Sequence, residues 1–180
     1  MYEVRFHGRG GQGAVTAANI LALAASKQNY YVQAFPMFGV ERRGAPVTAF
    51  LRFDTEPIEL RSQIYEPDTV VVLDPTLISV VDVAKGLREN GNAVINTARN
   101  LEDFHLHATV YVVDATAIAL NSKLGTRTNP IVNTAMLGAY AKAIGNIKLE
   151  SIIEAIGESI SARKSENIEA AKKAFRSVKK

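Results

Sequence analysis

The sequence predicts an α/β protein: a three-layer, Rossmann-like domain built on a largely parallel central sheet. Three observations carry this. A short alternating run, Tyr2 to Phe6, leads through the glycine-rich stretch Gly8-Arg9-Gly10-Gly11-Gln12-Gly13 straight into an apolar helical segment from Ala14. Strand-like and helix-like segments then alternate to the end of the chain, the pattern of a sheet covered by helices. Thr69-Val70-Val71-Val72-Leu73 is a continuous, mostly β-branched run, which suits a central strand buried on both faces.

Taken in order, the glycine stretch reads as a strand-to-helix turn. Glycines permit positive φ and let other groups approach the main chain closely. The free N–H groups at the start of the following helix attract an anion or another acceptor. Gly8, Gly10 and Gly13 also fit the G-x-G-x-x-G spacing of dinucleotide sites. Such a site needs an acid about 20 residues further on, at the end of the second strand. That strand, Tyr30 to Phe35, runs into Pro36, and the first acid beyond it is Glu41. The missing acid counts against a dinucleotide site, so the motif taken alone reads as a tight strand-to-helix turn packed against another part of the protein. The helix from Ala14 to about Lys27 is apolar on nearly every side, so burial on more than one face is expected, with contact to another chain a natural cover.

Phe35 to Pro46 is punctuated by glycine and proline and reads as a loop, yet it carries Met37, Phe38 and Val40 followed at once by Glu41-Arg42-Arg43. Apolar residues rimmed by charge suggest a binding surface. Val47 to Phe53 alternates as a strand. Pro57 to Leu60 is expected to pair with it through Asp54-Thr55-Glu56, which leaves a mixed sheet open as an alternative to a purely parallel one. After the central strand, Asp74 suits an N-cap and Pro75 a first helical residue. Leu77, Val80, Val81, Ala84 and Leu87 repeat at helical spacing up to a stop at Gly91. Ala93 to Asn96 and Thr109 to Val113 read as strands, with a helix from about Ala117 to Lys123. Asn129 and Pro130 read as cap and first turn of an alanine-rich helix, Ile131 to Ile144. Two amphipathic helices follow, marked by Leu149 to Ile160 and Ile168 to Val178.

Bulk properties bound the function. With 180 residues, 47% of them apolar, the chain is expected to form one domain over 1–180. The formal charge of +3 is modest, and the clearest basic run, Lys172 to Lys180, falls at a chain end, so no nucleic-acid partner is expected. No apolar run reaches membrane-spanning length, and the chain opens on a strand rather than a signal peptide, so no membrane is expected and the cytoplasm is the expected compartment. There is no cysteine, which excludes disulfides, cysteine-ligated zinc and an iron–sulfur cluster held by this chain. The histidines are His7, His105 and His107. No metal site is expected from them, and His105 and His107 are expected on a solvated edge. No spacing pairs a nucleophile with a base, so no catalytic residue is assigned.

Gly8 to Gly13 together with Phe35 to Pro46, and with Glu41-Arg42-Arg43-Gly44 inside the latter, resemble the gamma subunits of 2-oxoacid:ferredoxin oxidoreductases, above all the gamma chains of pyruvate synthases (pyruvate:ferredoxin oxidoreductases). Ile64-Tyr65-Glu66-Pro67-Asp68, Leu73-Asp74-Pro75 and Thr128-Asn129-Pro130 extend the likeness over nearly the whole chain. The resemblance implies a heteromultimeric complex that converts pyruvate and coenzyme A to acetyl-CoA and CO2 with reduction of ferredoxin, or the reverse. It implies alpha, beta and delta-type partner subunits that carry thiamine diphosphate, Mg and iron–sulfur clusters, this chain holding no cofactor alone. Gly8, Arg9, Gly10, Gly11, Gln12, Gly13, Arg42 and Arg43 are then expected to help hold coenzyme A phosphates. Met37, Phe38, Glu41, Gly44 and Asn129 are expected at subunit contacts, and ion pairs from Glu41 and the arginines across such a contact compete with the phosphate role. A complex for 2-oxoisovalerate, indolepyruvate or 2-oxoglutarate, and a free-standing nucleotide- or anion-binding module, remain the alternatives.

Overall fold

The computed structural model describes residues 1–37, 44–100, 104 and 106–180. Its centre is a six-stranded sheet of order β2-β3-β1-β4-β5-β6. The strands are β1 (Tyr2–Arg9), β2 (Tyr31–Pro36), β3 (Pro46–Asp54), β4 (Thr69–Val72), β5 (Asn92–Asn96) and β6 (Thr109–Val113). The pairs β1–β4, β4–β5 and β5–β6 are parallel, whereas β3 runs antiparallel to both β1 and β2. The sheet is therefore mixed, with β3 as its one reversed strand.

Alternation along β1 divides the molecule into two faces. Val4 and Phe6 point into the larger core with Leu51, Phe53, Val71, Leu73 and Val94. All five helices cover that side: α1 (Ala14–Ser26), α2 (Ala115–Asn121), α3 (Asn133–Ile144), α4 (Leu149–Ser159) and α5 (Lys164–Ser177). The all-round apolar character of α1 is answered within the chain, since it packs on β2 and β3 beneath it and on α3 and α4 beside it. The second face holds a smaller core of Val70, Val72, Ala93, Ile95 and Val112 under Leu77 and Val83.

That second cover is not the α-helix expected over Leu77 to Leu87. Asp74 caps as expected, accepting from the Thr76 N–H at 2.9 Å, but only a 3₁₀ helix, Pro75–Ser79, forms. Val80, Val81 and Val83 are poor helix formers, and Gly86 takes a positive φ of 71°. The carbonyls of Val83 and Lys85, which a helix would direct along its axis, instead accept from Arg5 at 3.1 and 2.6 Å. Pro57 to Leu60 likewise forms no strand. It crosses the second face, and its carbonyls are taken by side chains: Ile58 accepts from Gln33 at 3.0 Å and Leu60 from Arg52 at 3.1 Å. The antiparallel partner of β3 is β2 instead, so the hairpin lies one connection earlier than expected. Asn129 and Pro130 do not open α3. They pair with Gly125–Thr126 as a two-residue ladder, β7 (Gly125–Thr126) with β8 (Asn129–Pro130), and α3 begins at Asn133. His107 is exposed, and His105 lies outside the described residues.

Two buried arginines anchor the second face. Arg52, 1% exposed, meets Glu3 at 3.1 Å and donates to the Ser62 carbonyl at 3.0 Å. Glu3 also receives Arg88 at 3.3 Å, and its backbone N–H bonds Asp68 at 2.7 Å. The connection from β3 to β4 is thereby clasped to the sheet.

On the helical side the closest approach is between α3 and α5. A methyl on Gly138 would overlap the Ala171 carbonyl oxygen, so the two backbones touch because Gly138 has no Cβ. Gly138→Ala is expected to force the helices apart and destabilise the chain by about 2 kcal/mol or more, beyond the helix-propensity gain, read as a lowered denaturant midpoint. Gly157, with open space around it, serves as the control, and Gly157→Ala should be neutral or mildly stabilising.

Candidate functional site

The pairing of β1 decides where the glycine stretch lies. Parallel pairing with β4 brings the end of β1 beside Leu73 and Asp74, and the Leu73 N–H donates to the His7 carbonyl at 2.7 Å. Antiparallel pairing with β3 sets Arg9 opposite Pro46, where the loop from β2 re-enters the sheet. The Gly10 N–H donates to the Ala45 carbonyl at 2.9 Å and the Gly44 N–H to the Gly10 carbonyl at 3.1 Å. The two segments singled out in the sequence thus leave the same sheet edge and are stitched together there.

Around this stitch lies a cleft of about 380 Å³ lined by Arg9, Gly10, Gln12, Gly44, Asp74, Thr128 and Asn129. Asp74 is its hub. One carboxylate oxygen accepts from Arg9 Nε at 3.0 Å and Gln12 Nε2 at 3.1 Å; the other accepts from the Thr76 N–H and hydroxyl at 2.9 and 2.7 Å. Burial works to raise the Asp74 pKa, but the Thr76 and Gln12 hydrogen bonds and the Arg9 charge outweigh it and hold the carboxyl below its ordinary value. Arg9 also donates to the Gly44 carbonyl at 3.1 Å and the Thr76 hydroxyl at 2.8 Å, so its guanidinium is fixed across the mouth of the cleft. Gln12 completes the ring by accepting from the Arg9 N–H at 2.8 Å.

The glycines have separate reasons. Gly13 takes φ 81° as the residue before α1, and a Cβ there would stand 2.6 Å from Asn133 Nδ2. Gly11 takes φ 98° against the Asn129 amide. Gly8 allows Ala14 and Leu73 to close over β1. Of the residues expected to act together, Arg9, Gly10, Gln12, Gly44 and Asn129 line this cleft, and Gly8, Gly11 and Gly13 belong to the turn beside it. Met37 does not line this cleft and is 45% exposed. Phe38, Glu41, Arg42 and Arg43 lie outside the described residues.

The chain is similar to known proteins over nearly its whole length. The model of the pyruvate ferredoxin/flavodoxin oxidoreductase family matches residues 3–179. The chain belongs to that family. A Thermococcus kodakarensis protein named as the common gamma subunit of pyruvate/ketoisovalerate oxidoreductases is 58% identical, covering 97% of this chain and 96% of that protein. The pyruvate synthase subunit PorC of Methanothermobacter marburgensis is 52% identical, covering 99% and 98%. The crystal structure of pyruvate oxidoreductase subunit PORC from Thermotoga maritima has a TM-score of 0.84 at 38% identity, covering 99% of this chain and 97% of that one. Among the described residues of this oxidoreductase-family chain, no three His, Cys, Asp or Glu side chains come together to hold a metal ion, and no helix is long and apolar enough to cross a membrane.

A second polar cluster escaped the sequence reading. Arg5 and His7 occupy alternate positions of β1 on its second face, and Arg5 Nε donates to His7 Nε2 at 3.0 Å. As an acceptor His7 is neutral. Burial and the Arg5 charge push its pKa down to about 3. The alternation of β1 signalled that both side chains share a face; that this face is buried follows from the 78–88 segment folding over it.

An unfolded His7 takes a proton near pH 6.5 while the folded one stays neutral to about pH 3. The unfolded chain binds more protons between these limits, so stability is full above the upper limit and falls as pH drops through the window, by at most about 1.4 kcal/mol per pH unit from this group. Denaturant unfolding at pH 7 and pH 4.5 should show that loss, and His7→Gln, which keeps an acceptor for Arg5 without a titrating ring, should reduce it.

Proposed function

We propose that this chain is the gamma subunit of a multi-subunit pyruvate:ferredoxin oxidoreductase, in which pyruvate and coenzyme A are converted to acetyl-CoA and CO2 with reduction of ferredoxin. The observation that carries this is likeness above 50% over nearly full length to proteins named as such subunits. Thiamine diphosphate, Mg and iron–sulfur clusters belong on alpha, beta and delta-type partners in this reading, and ferredoxin meets the complex through them. The chain's own donor set supports that division, since it contains no cysteine to ligate a cluster. The complex works in the cytoplasm. One relative's name makes it common to two oxidoreductases, which supports a gamma chain that does not itself choose between pyruvate and a branched 2-oxoacid.

Within the complex the chain contributes a coenzyme A contact at the cleft edge. In its favour, Gly44, which follows Arg42-Arg43 in the sequence, is bonded to Gly10. Guanidinium forks match phosphate oxygens, and the turn precedes a helix start. One observation favours a protein contact instead. Arg9 is already matched by Asp74, and that carboxylate would repel a phosphate entering the cleft. Phosphate binding therefore rests on Arg42 and Arg43, with Arg9 holding the loop end in place.

The chain purified alone should show no pyruvate-dependent dye reduction, and purified from its source it should come with larger chains that do. Turnover by the isolated chain would overturn the subunit reading. In the intact complex, Arg42→Ala or Arg43→Ala should raise the apparent Michaelis constant for coenzyme A about tenfold, as loss of a charge-assisted bond worth roughly 1.5–3 kcal/mol implies. The constant for the 2-oxoacid should stay nearly unchanged. Unaltered coenzyme A dependence in both, with weakened assembly, would assign these arginines to a protein contact.

A further inference from the structure

The second face of β1 opens into a cavity of about 460 Å³, separate from the cleft described above. Arg5 and His7 form its floor, only 8% and 7% exposed. Thr48 and Phe50 of β3 form one wall, and Met37 and Tyr65 also line it. These last two are large apolar side chains left 45% and 69% exposed.

Arg5 differs from its neighbour Arg52 in one respect. Both are buried on this face, but Arg52 has the Glu3 carboxylate at 3.1 Å, whereas no ion pair among the described residues includes Arg5. Its Nε and Nη2 are used on the His7 ring and the Val83 and Lys85 carbonyls, all uncharged acceptors, and its Nη1 has no hydrogen bond among the described residues. The carboxylates lining the cavity, Glu66 and Asp82, are solvent-exposed, and Lys85 stands exposed with them. The floor therefore carries a guanidinium that has no ion pair among the described residues, with Asp82 acting on it only beyond ion-pair distance, under walls in which Met37, Phe50 and Tyr65 stand beside these exposed charges.

We propose that this cavity is the seat of an acidic side chain from a partner subunit, flanked by apolar residues that cover Met37 and Tyr65. The inference rests on the subunit reading above. A protein surface that covers Met37 and Tyr65 also strips Arg5 of water, and a guanidinium sealed in with no carboxylate at ion-pair distance is strongly disfavoured. A carboxylate matches the open edge of the planar fork, and the neutral His7 cannot substitute for it. Methionine, tyrosine and arginine are also the types enriched where interfaces are fully buried.

The test uses the intact complex. Dilute peroxide oxidation of Met37 and nitration of Tyr65, read by peptide mass spectrometry, should each be about tenfold or more slower in the complex than in the free chain, as burial at an interface centre implies. A photo-crosslinking phenylalanine analogue at position 65 should join a partner peptide that carries Asp or Glu within a few residues of the link. Arg5→Gln should weaken assembly about tenfold or more, with Arg5→Lys restoring part of it. Tyr65→Ala, at an exposed position, keeps the fold and should weaken assembly in the same sense should Arg5→Gln lower the melting point of the free chain. Changing the cross-linked acid to its amide should add nothing to the Arg5→Gln defect, the signature of a direct pair. Equal labelling in complex and free chain, a cross-linked peptide without an acid, or a link to a second copy of this chain would each overturn the proposal while leaving the subunit reading standing. A preparation from which no larger chain copurifies would overturn both.

Discussion

Strand β1 is bonded on both sides, antiparallel to β3 and parallel to β4, and the arrangement of both polar sites follows from that double pairing. A one-residue slip on either side would exchange the faces of every β1 side chain. Val4 and Phe6 would leave the helical core, and Glu3, Arg5 and His7 would enter it. The register is held by apolar burial on one face and by ion pairs and carbonyl acceptors on the other. At the end of the same strand, the parallel partner supplies Asp74 and the antiparallel partner supplies the loop end at Gly44. The cleft is therefore a product of sheet topology, at the point where the chain connections diverge, which is where open α/β sheets place their sites.

The two faces of the sheet are stabilised differently. On the helical face, α1, α3, α4 and α5 pack with small residues at the contacts, so apolar burial does most of the stabilising. The second face has little regular structure above β1 and β3. There, side-chain donors satisfy backbone carbonyls that no strand or helix uses, with Arg52 serving the 60–62 segment and Arg5 the 83–85 segment. A buried arginine suits this role because its several N–H groups can hold irregular chain without a carboxylate at each. Arg52 is ion-paired with Glu3, whereas among the described residues Arg5 has no ion pair.

Family membership and geometry bear on different questions. The likeness over residues 3–179 places the chain among the pyruvate ferredoxin/flavodoxin oxidoreductases. The geometry adds what one subunit can contribute. The cleft around Asp74 is organised by a carboxylate matched to an arginine, an arrangement that fixes the loop end at Gly44.

The sequence by itself determined the class of fold, the strand–glycine turn–helix opening and the central position of Thr69 to Leu73, because each rests on local periodicity or turn chemistry, and its motifs carried the resemblance to the family. It determined Asp74 as a cap, because that hydrogen bond spans two residues. It could not determine that the same carboxylate binds Arg9, whose partner lies 65 positions away and meets it only through parallel pairing. Helical spacing over Leu77 to Leu87 misled for a related reason: the carbonyls of Val83 and Lys85 found a buried guanidinium from another strand. Pro57 to Leu60 read as the partner of β3 because the turn-like Asp54-Thr55-Glu56 joins them, and a local turn signal does not reveal that β2 takes that edge of β3. Local sequence fixes what a segment prefers; tertiary contact decided which of its polar groups are answered by backbone and which by a distant side chain.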